Sequence, residues 1–191
     1  MAIVGVKKSF YAKYAKSASG SYAYSDGAEL ARLTQISVTY ESNDSELYSD
    51  DELEESDYSF SKGTLTLTTS ELTDSATAAI MGITLSGSTQ NKELVFDDDM
   101  NQPELGIGFI ITKKKGGTFS YRAIVFPRVK FKIPADAATT REGKLAFQTA
   151  SIEGTLSRDF SEKHAWKREQ TFASETDAVD YIKTKLGISV S

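Results

Sequence analysis

The sequence predicts a mainly β fold of the α+β class, a β-sandwich or barrel with a short flanking helix and a C-terminal helix. Two observations carry this prediction. Most apolar residues lie in runs that alternate with polar residues, which is the period of a strand with one buried face. Only two segments carry helical caps or helical apolar spacing, and no repeat of 20 to 50 residues is visible. A chain of 191 residues suits one domain, which we expect to span residues 1–191.

The first half of the chain contains three predicted strands and a loop. Residues 4–14 alternate as a strand, whereas 17–27 are rich in Ser, Gly, Ala and Tyr and predict a loop. Ile36, Val38 and Tyr40 lie on the buried parity of the next strand. Residues 58–68 form another, and a change of parity at Gly63 indicates a bulge there.

The middle of the chain predicts a helix and a hairpin. Thr73 is a candidate N-cap for a helix over 74–81, and Gly82 is its stop signal. A strand over 93–96 leads into three consecutive aspartates, 97–99. Residues 107–112 alternate as a strand, and the glycine pair at 116–117 predicts a hairpin turn.

The longest predicted strand returns from that turn and crosses Pro127. Its apolar residues keep one parity on both sides of the proline, which predicts one bent strand with unchanged faces: Phe119, Tyr121, Ala123, Val125, Val129, Phe131 and Ile133. Residues 134–143 predict a polar connection, 144–158 a strand with a bulge near Ala150, and 166–172 a last strand.

The C-terminal segment predicts an amphipathic helix over 175–186. Ser174 and Asp177 have the spacing of a capping box. Ala178, Ile182 and Leu186 recur every four residues and form an apolar stripe that ends at Gly187. We expect this stripe to cover a face or edge of the sheet.

An unusual acidic segment separates two of the predicted strands. Residues 41–57, here called the acidic arm, carry nine carboxylates and no Lys or Arg, so we expect a solvated, self-repelling loop. Apolar residues inside it are of more use to a partner than to the chain's own core. Our hypothesis is that the arm contacts an adjacent subunit through Asp44, Glu46, Leu47, Tyr48, Asp50, Asp51, Glu52 and Leu53.

The long strand across Pro127 carries a row of cations on its even positions, namely Arg122, Arg128, Lys130 and Lys132. Two interpretations stay open at this stage. The row is an ordinary solvated strand face, or it is the face that receives the acidic arm of a neighbouring copy.

Residues typical of enzymes and metal sites do not form a recognisable set. The chain has no cysteine, and its single histidine, His164, has no nucleophile or acid that the sequence pairs with it. The arm lacks the glycine and the alternate acidic spacing of a calcium-binding loop. We therefore expect no catalytic residues, no metal site and no cofactor. A net charge of −5 argues against tight binding of nucleic acid, and no apolar run is long enough to cross a membrane.

In their order along the chain, these features resemble the major tail protein, or tail-tube protein, of long-tailed bacteriophages with non-contractile tails. The resemblance rests on the successive segments 4–7, 11–14, 46–51, 60–68, 106–109, 126–131 and 152–155, with Trp166 near the end.

The resemblance implies a structural virion protein that is made in the host cytoplasm and has no enzymatic activity. Copies of such a protein form sixfold rings, and the rings stack into the tail tube through which DNA passes during ejection. It implies tape-measure, tail-tip and tail-terminator proteins as partners and no membrane. Some members of the family carry a C-terminal immunoglobulin-like domain, which we expect to be absent here. The main alternative is a monomeric β-sandwich that binds carbohydrate or a cell surface, and an acid-base hydrolase is a further one.

Overall fold

The computed structural model describes residues 2–17, 21–43, 45–49, 52–57, 59–88, 91–134 and 149–190. These residues contain twelve strands and two helices, which confirms the predicted mainly β fold with two helices. In chain order the elements are β1 (Ala2–Lys16), β2 (Tyr22–Glu29), β3 (Leu33–Ser42), β4 (Ser45–Ser49), β5 (Glu52–Asp57), β6 (Phe60–Thr69), α1 (Asp74–Met81), β7 (Leu85–Ser88), β8 (Asn91–Leu94), β9 (Leu105–Lys115), β10 (Thr118–Phe131), β11 (Ala150–Ser157), β12 (Arg168–Phe172) and α2 (Glu175–Lys185).

The main sheet is antiparallel, with strand order β2-β1-β9-β10-β11-β6-β3, and β12 also pairs with β10. The sheet folds over on itself, so that residues of β6 and β11 meet residues of β9 and β10 in one apolar core. Leu65, Ile107, Phe126 and Ile152 are almost completely buried there. Helix α1 contributes Ile80 and Met81 to the same core.

Strand β10 changes faces at Pro127, which corrects the expectation of one constant parity. Before the proline, even residues such as Phe126 point into the main core; after it, odd residues such as Val129 do so. The pairing with β9 explains the change, because Phe126 is opposite Ile107 and Val129 is opposite Leu105. One extra residue on β10 therefore forms a bulge, and a one-residue slip exchanges the two faces of a strand.

A second core lies between the outer face of the sheet and α2. Ala178, Ile182 and Leu186 are fully buried against residues of β1, β9 and β10, which confirms the predicted stripe. Glycines on β9 permit this close approach. A Cβ on Gly108 would lie 2.3 Å from Ile182 Cγ2, and one on Gly106 would lie 2.6 Å from Leu186 Cδ2.

The two helices differ in how well their predicted caps are realised. Thr73 caps α1, because its side chain accepts a hydrogen bond from the Ala76 backbone N–H, and Gly82 ends the helix at φ 70°. At α2, Ser174 occupies the N-cap but makes no side-chain cap hydrogen bond. The predicted capping box is therefore wrong, although the helix begins where it was predicted.

Several other expectations differ from the structure. The predicted loop over 17–27 is wrong for residues 22–27, because β2 starts at Tyr22 and pairs with β1, whereas residues 18–20 lie outside the described residues. The predicted bulge at Gly63 is displaced, since the register between β3 and β6 skips Ser61. The strand predicted over 93–96 is β8, and the hairpin that it forms with β7 was missed. The part of the predicted strand 144–158 that precedes Thr149, and most of the connection 134–143, lie outside the described residues.

Candidate interaction surfaces

The acidic arm continues the β3–β6 hairpin as a second ribbon. After Ser42 pairs with Phe60, the Asn43 N–H donates to the Ser59 carbonyl at 2.8 Å, and β4 then pairs with β5. Within the described residues, β4 and β5 pair only with each other. Glu46, Leu47 and Tyr48 lie on β4, and Glu52 and Leu53 on β5; Asp44, Asp50 and Asp51 lie outside the described residues.

The expectation of a loop is therefore wrong for most of the arm, and the register gives the reason. Four of the five carboxylates on the paired strands are opposite a neutral residue: Asp57 is opposite Ser45, Glu46 opposite Ser56, Glu55 opposite Leu47, and Glu52 opposite Ser49; Glu54 falls at the register shift and is opposite no residue. Like charges directly opposite each other destabilise a sheet, and this register avoids them. The single hydrophobic pair is Tyr48 opposite Leu53.

An aromatic cluster holds the base of the arm. The Trp166 ring stacks on Phe60 with centroids 4.4 Å apart, and Tyr40 meets Trp166 edge-on at 5.1 Å. The Arg158 guanidinium donates to the Phe60 carbonyl, and Lys62 pairs with Glu41 at 3.3 Å. Ring stacking of this kind adds to burial energy, so the direction in which the hairpin leaves the sheet is restrained.

The four cations of the predicted receiving row do not share one face. Arg122 precedes the bulge and lines a cleft of ≈ 400 Å³ together with Ile124 and Phe126, the residues of the main-core face. Arg128, Lys130 and Lys132 follow the bulge. The prediction of a single cationic face is wrong, because the extra residue at Pro127 reverses the strand faces between Arg122 and the others.

Three of these four cations are already paired within the chain. Arg122 contacts Glu169, and Lys132 contacts Glu153. Arg128 binds Glu104 through two hydrogen bonds, Nε to Oε2 at 2.7 Å and Nη2 to Oε1 at 2.5 Å. The hydrogen bonds to Glu104 raise the pKa of Arg128 further above its ordinary value. Lys130 is exposed and has no ion pair with a described residue.

Sequence reasoning missed an aromatic cleft beside Arg128. Tyr14, Tyr22 and Phe160 form a stack in which the rings of Tyr22 and Phe160 are 4.2 Å apart. Tyr22 and Phe160 are 39% and 46% exposed, and the adjoining cleft has a volume of ≈ 660 Å³. The Arg128 guanidinium lies 4.3 Å from the Phe160 ring centre. The sequence predicts a loop at Tyr22 and no element at Phe160. The alternation of apolar and polar residues therefore does not predict that these two rings meet.

Polar groups at the back of this cleft are tightly bonded. The buried Asp159 carboxylate accepts hydrogen bonds from the Ser161 hydroxyl at 2.6 Å and from Arg168 at 3.2 Å. The Tyr24 hydroxyl donates to the Pro127 carbonyl at 2.9 Å, and burial raises the Tyr24 pKa well above its ordinary value. His164 is exposed, and its Nδ1 lies 3.3 Å from the Asp159 carbonyl oxygen.

The described residues contain no group of three or more His, Asp or Glu side chains that could hold a metal ion. Neither described helix has the length and apolarity needed to span a membrane. No known family model matches the sequence, and no curated protein shows significant similarity to it.

Proposed function

We propose that this protein is a structural subunit that self-assembles into stacked hexameric rings and forms the tail tube of a long-tailed bacteriophage. In this proposal it is a component of the virion, has no enzymatic activity, and lets DNA pass through the tube during ejection. The ring symmetry, the tape-measure, tail-tip and tail-terminator partners, and the virion location come from the sequence resemblance. The capacity for self-association is supported independently by the fold.

The observation that carries the proposal is the edge strand β3. Its outer edge has no strand partner among the described residues, and residues 33–40 contain no charge, proline or glycine. Monomeric proteins usually protect such an edge with charges, proline or a covering element, because it pairs readily with another chain. The edge of β3 faces Ile3, Gly5 and Val6 of β1 across a cleft of ≈ 400 Å³ without pairing with them. An unpaired edge next to an acidic hairpin is typical of a surface that pairs between subunits.

A polymer also requires two different patches on each copy, so that one patch of a subunit meets the other patch of the next. The acidic arm is one such patch. Its nine carboxylates oppose self-contact, whereas Leu47, Tyr48 and Leu53 provide apolar anchors for a complementary surface. Negative charge also prevents nonspecific aggregation of the free subunit.

Electron microscopy of purified protein over a range of concentrations tests this proposal. We expect rings or tubes for the wild type and few or none for the Leu47→Ser, Tyr48→Ser double variant, because it loses the apolar anchors of the arm. A Ser45→Ala, Ser49→Ala variant on the same strand keeps the anchors and is the matched control. Normal tubes from the double variant, or a compact monomer at every wild-type concentration, would contradict the proposal.

One observation favours a second candidate, a monomeric carbohydrate-binding module. Exposed aromatic rings beside a cleft are a common platform for sugars, and Tyr22 and Phe160 are half-exposed at such a cleft. These rings, however, already stack on each other and on Arg128. Glycan binding by a wild-type monomer that is lost in Tyr22→Ala, Phe160→Ala would favour this candidate over the tube.

A further inference from the structure

We propose that a groove beside the β9–β10 hairpin receives the acidic arm of a second copy of this chain. The groove, here called the end groove, has a volume of ≈ 390 Å³ and is lined by Val4, Gly5, Val6, Lys7, Thr112, Phe119 and Tyr121. This inference rests on the proposed self-assembly and names the surface that would meet the arm. The end groove takes the place of the four-cation row as the proposed receiving surface, because three of the four cations of that row are already paired within the chain.

The end groove exposes apolar side chains and contains a hydroxyl group without a hydrogen-bond partner among the described residues. Val4 is 58% exposed and Phe119 43% exposed, although both lie on strands of the main sheet. The Thr112 hydroxyl oxygen is buried and has no hydrogen-bond partner among the described residues. A buried polar group without a partner is destabilising, so the hydrogen bonding at this edge of the groove is incomplete in the single chain. A docked strand would bond this hydroxyl after the Thr112 side chain rotates into the groove.

The charge of the end groove complements that of the arm. The Lys114 ammonium lies 5.0 Å from the Phe119 ring centre, and that of Lys7 lies 6.0 Å from the Tyr121 ring centre. Lys7 also pairs with Glu175 at 3.0 Å, whereas Lys113, Lys114 and Lys115 have no ion pair with a described residue. Besides Glu41, which pairs with Lys62, the arm offers eight carboxylates for these lysines, and it offers Leu47, Tyr48 and Leu53 for the apolar floor. Complementary charge of this kind sets register and partner choice.

The backbone of β1 is also open at the end groove. Strand β2 pairs with β1 only from Phe10 onward, so among the described residues the segment 2–7 of β1 pairs only with β9, with Val4 at a register shift. In the arm, β4 and β5 pair only with each other within the described residues. Each of these strands therefore has an edge without a strand partner in the part of the chain that the structure describes, and that of β1 borders the cleft towards β3. Addition of the arm to this edge would supply the backbone hydrogen bonds of a shared sheet.

A Thr112→Val substitution separates this inference from a purely structural role of the threonine. If the arm docks here and the Thr112 side chain rotates to meet it, the variant loses a hydrogen bond to the second copy, and assembly requires a higher protein concentration by about fivefold. The monomer itself should be as stable as the wild type or more stable, because an unpaired buried hydroxyl is removed. Thr118→Val, at an exposed position of the same hairpin, is the matched control and should change neither property. Unchanged assembly of Thr112→Val would overturn the inference.

A charge reversal at the rim tests the electrostatic part. Lys114→Glu should raise the concentration required for assembly by roughly tenfold, because it replaces attraction by repulsion. Lys92→Glu, at an exposed position of β8, makes the same change of charge away from the groove and should have little effect. Equal behaviour of the two variants would contradict the inference.

Cross-linking gives a readout that does not depend on stability. The chain has no cysteine, so single cysteines can be introduced without background. Mixing a Glu52→Cys preparation with a Lys114→Cys preparation under assembly conditions should give a disulfide-linked or bismaleimide-linked dimer, whereas replacing the second by Lys92→Cys should not. Wild-type tubes without this cross-link would overturn the docking site and leave the tube proposal intact. Failure of the wild type to assemble at all would overturn the proposed function instead.

Discussion

At the scale of single residues, the cations of this protein mostly serve its own fold. Arg128 illustrates this, because its guanidinium binds both oxygens of Glu104 and also packs on Phe160. A planar guanidinium makes both contacts at once, which a lysine ammonium cannot do. Position in the sequence showed that Arg128 is on a strand. Its partner, Glu104, lies 24 residues earlier in the sequence, and the antiparallel pairing of β9 with β10 brings the two side chains together.

We predict that Arg128→Lys lowers the free energy of unfolding by about 1–2 kcal/mol, because the two-point hydrogen bonding and the stacking are lost. Urea unfolding followed by fluorescence measures this effect. Lys130→Ala on the same strand, which removes an exposed cation, should stay within about 0.5 kcal/mol of the wild type. Equal effects of the two substitutions would show that the contact between Arg128 and Glu104 contributes nothing to the free energy of unfolding.

Glu169 gives a prediction of pH dependence. Hydrogen bonds from Lys167 and then from Arg122 hold the pKa of Glu169 below its ordinary value in the folded protein. A carboxyl group with a lowered folded pKa stabilises the fold at pH values above its unfolded pKa, and this contribution disappears as the pH falls through the folded pKa. Wild type should therefore be more stable than Glu169→Gln at pH 7, and the difference should vanish in acid.

Thermal unfolding across the acid range measures this difference. The matched control is Glu162→Gln, at an exposed position with no ion pair to a described residue. A difference between wild type and Glu169→Gln that stayed constant with pH would contradict the assigned role of the carboxylate.

At the scale of elements, the local register of a strand decides which face of the sheet each residue occupies and which residue it is opposite. The bulge at Pro127 sends Phe126 and Val129 into the same core from opposite parities. In the arm, the pairing places carboxylates opposite neutral residues, so a ribbon forms where charge alone predicts a loop. On β9, glycines at alternate positions leave room for α2, and the helix stripe fills that space.

We predict that Gly108→Ala destabilises the fold by about 1–3 kcal/mol, because the new methyl group would overlap Ile182 and displace α2. Gly5→Ala, on the neighbouring strand β1, is the matched control. A Cβ at Gly5 meets nothing within 4 Å, so that variant should be close to neutral. Chemical denaturation of both variants distinguishes the two cases, and equal stability would show that α2 does not pack tightly on β9.

At the scale of the whole molecule, the protein combines an acidic surplus with strand edges that have no strand partner among the described residues. The net charge is −5, and nine carboxylates fall within residues 41–57 of the sequence. An acidic wall would suit a conduit for DNA, because like charge prevents phosphates from binding as the backbone moves through.

We therefore predict that the lumen of an assembled tube has a negative electrostatic potential. A cryo-electron microscopy reconstruction of tubes grown from the wild-type protein would identify the residues that face the channel. A basic lining would contradict this part of the proposal, even if rings and tubes form. The position of the arm between subunits in the same map would test the end groove independently.

The sequence by itself determined the fold class, most strand positions and both helices, because period-two and period-four apolar patterns follow from local geometry. It also located the acidic arm and its apolar anchors, since charge density is a property of the chain alone. Only the tertiary structure decided which cations were already paired, that Tyr22 lies beside Phe160, and that Val4 and Thr112 border one groove. The aromatic contact and the groove join segments more than a hundred residues apart, and the ion pairs join residues 21 to 47 apart in the sequence. All of them depend on strand register, and on β10 a single bulge at Pro127 is enough to exchange the two faces.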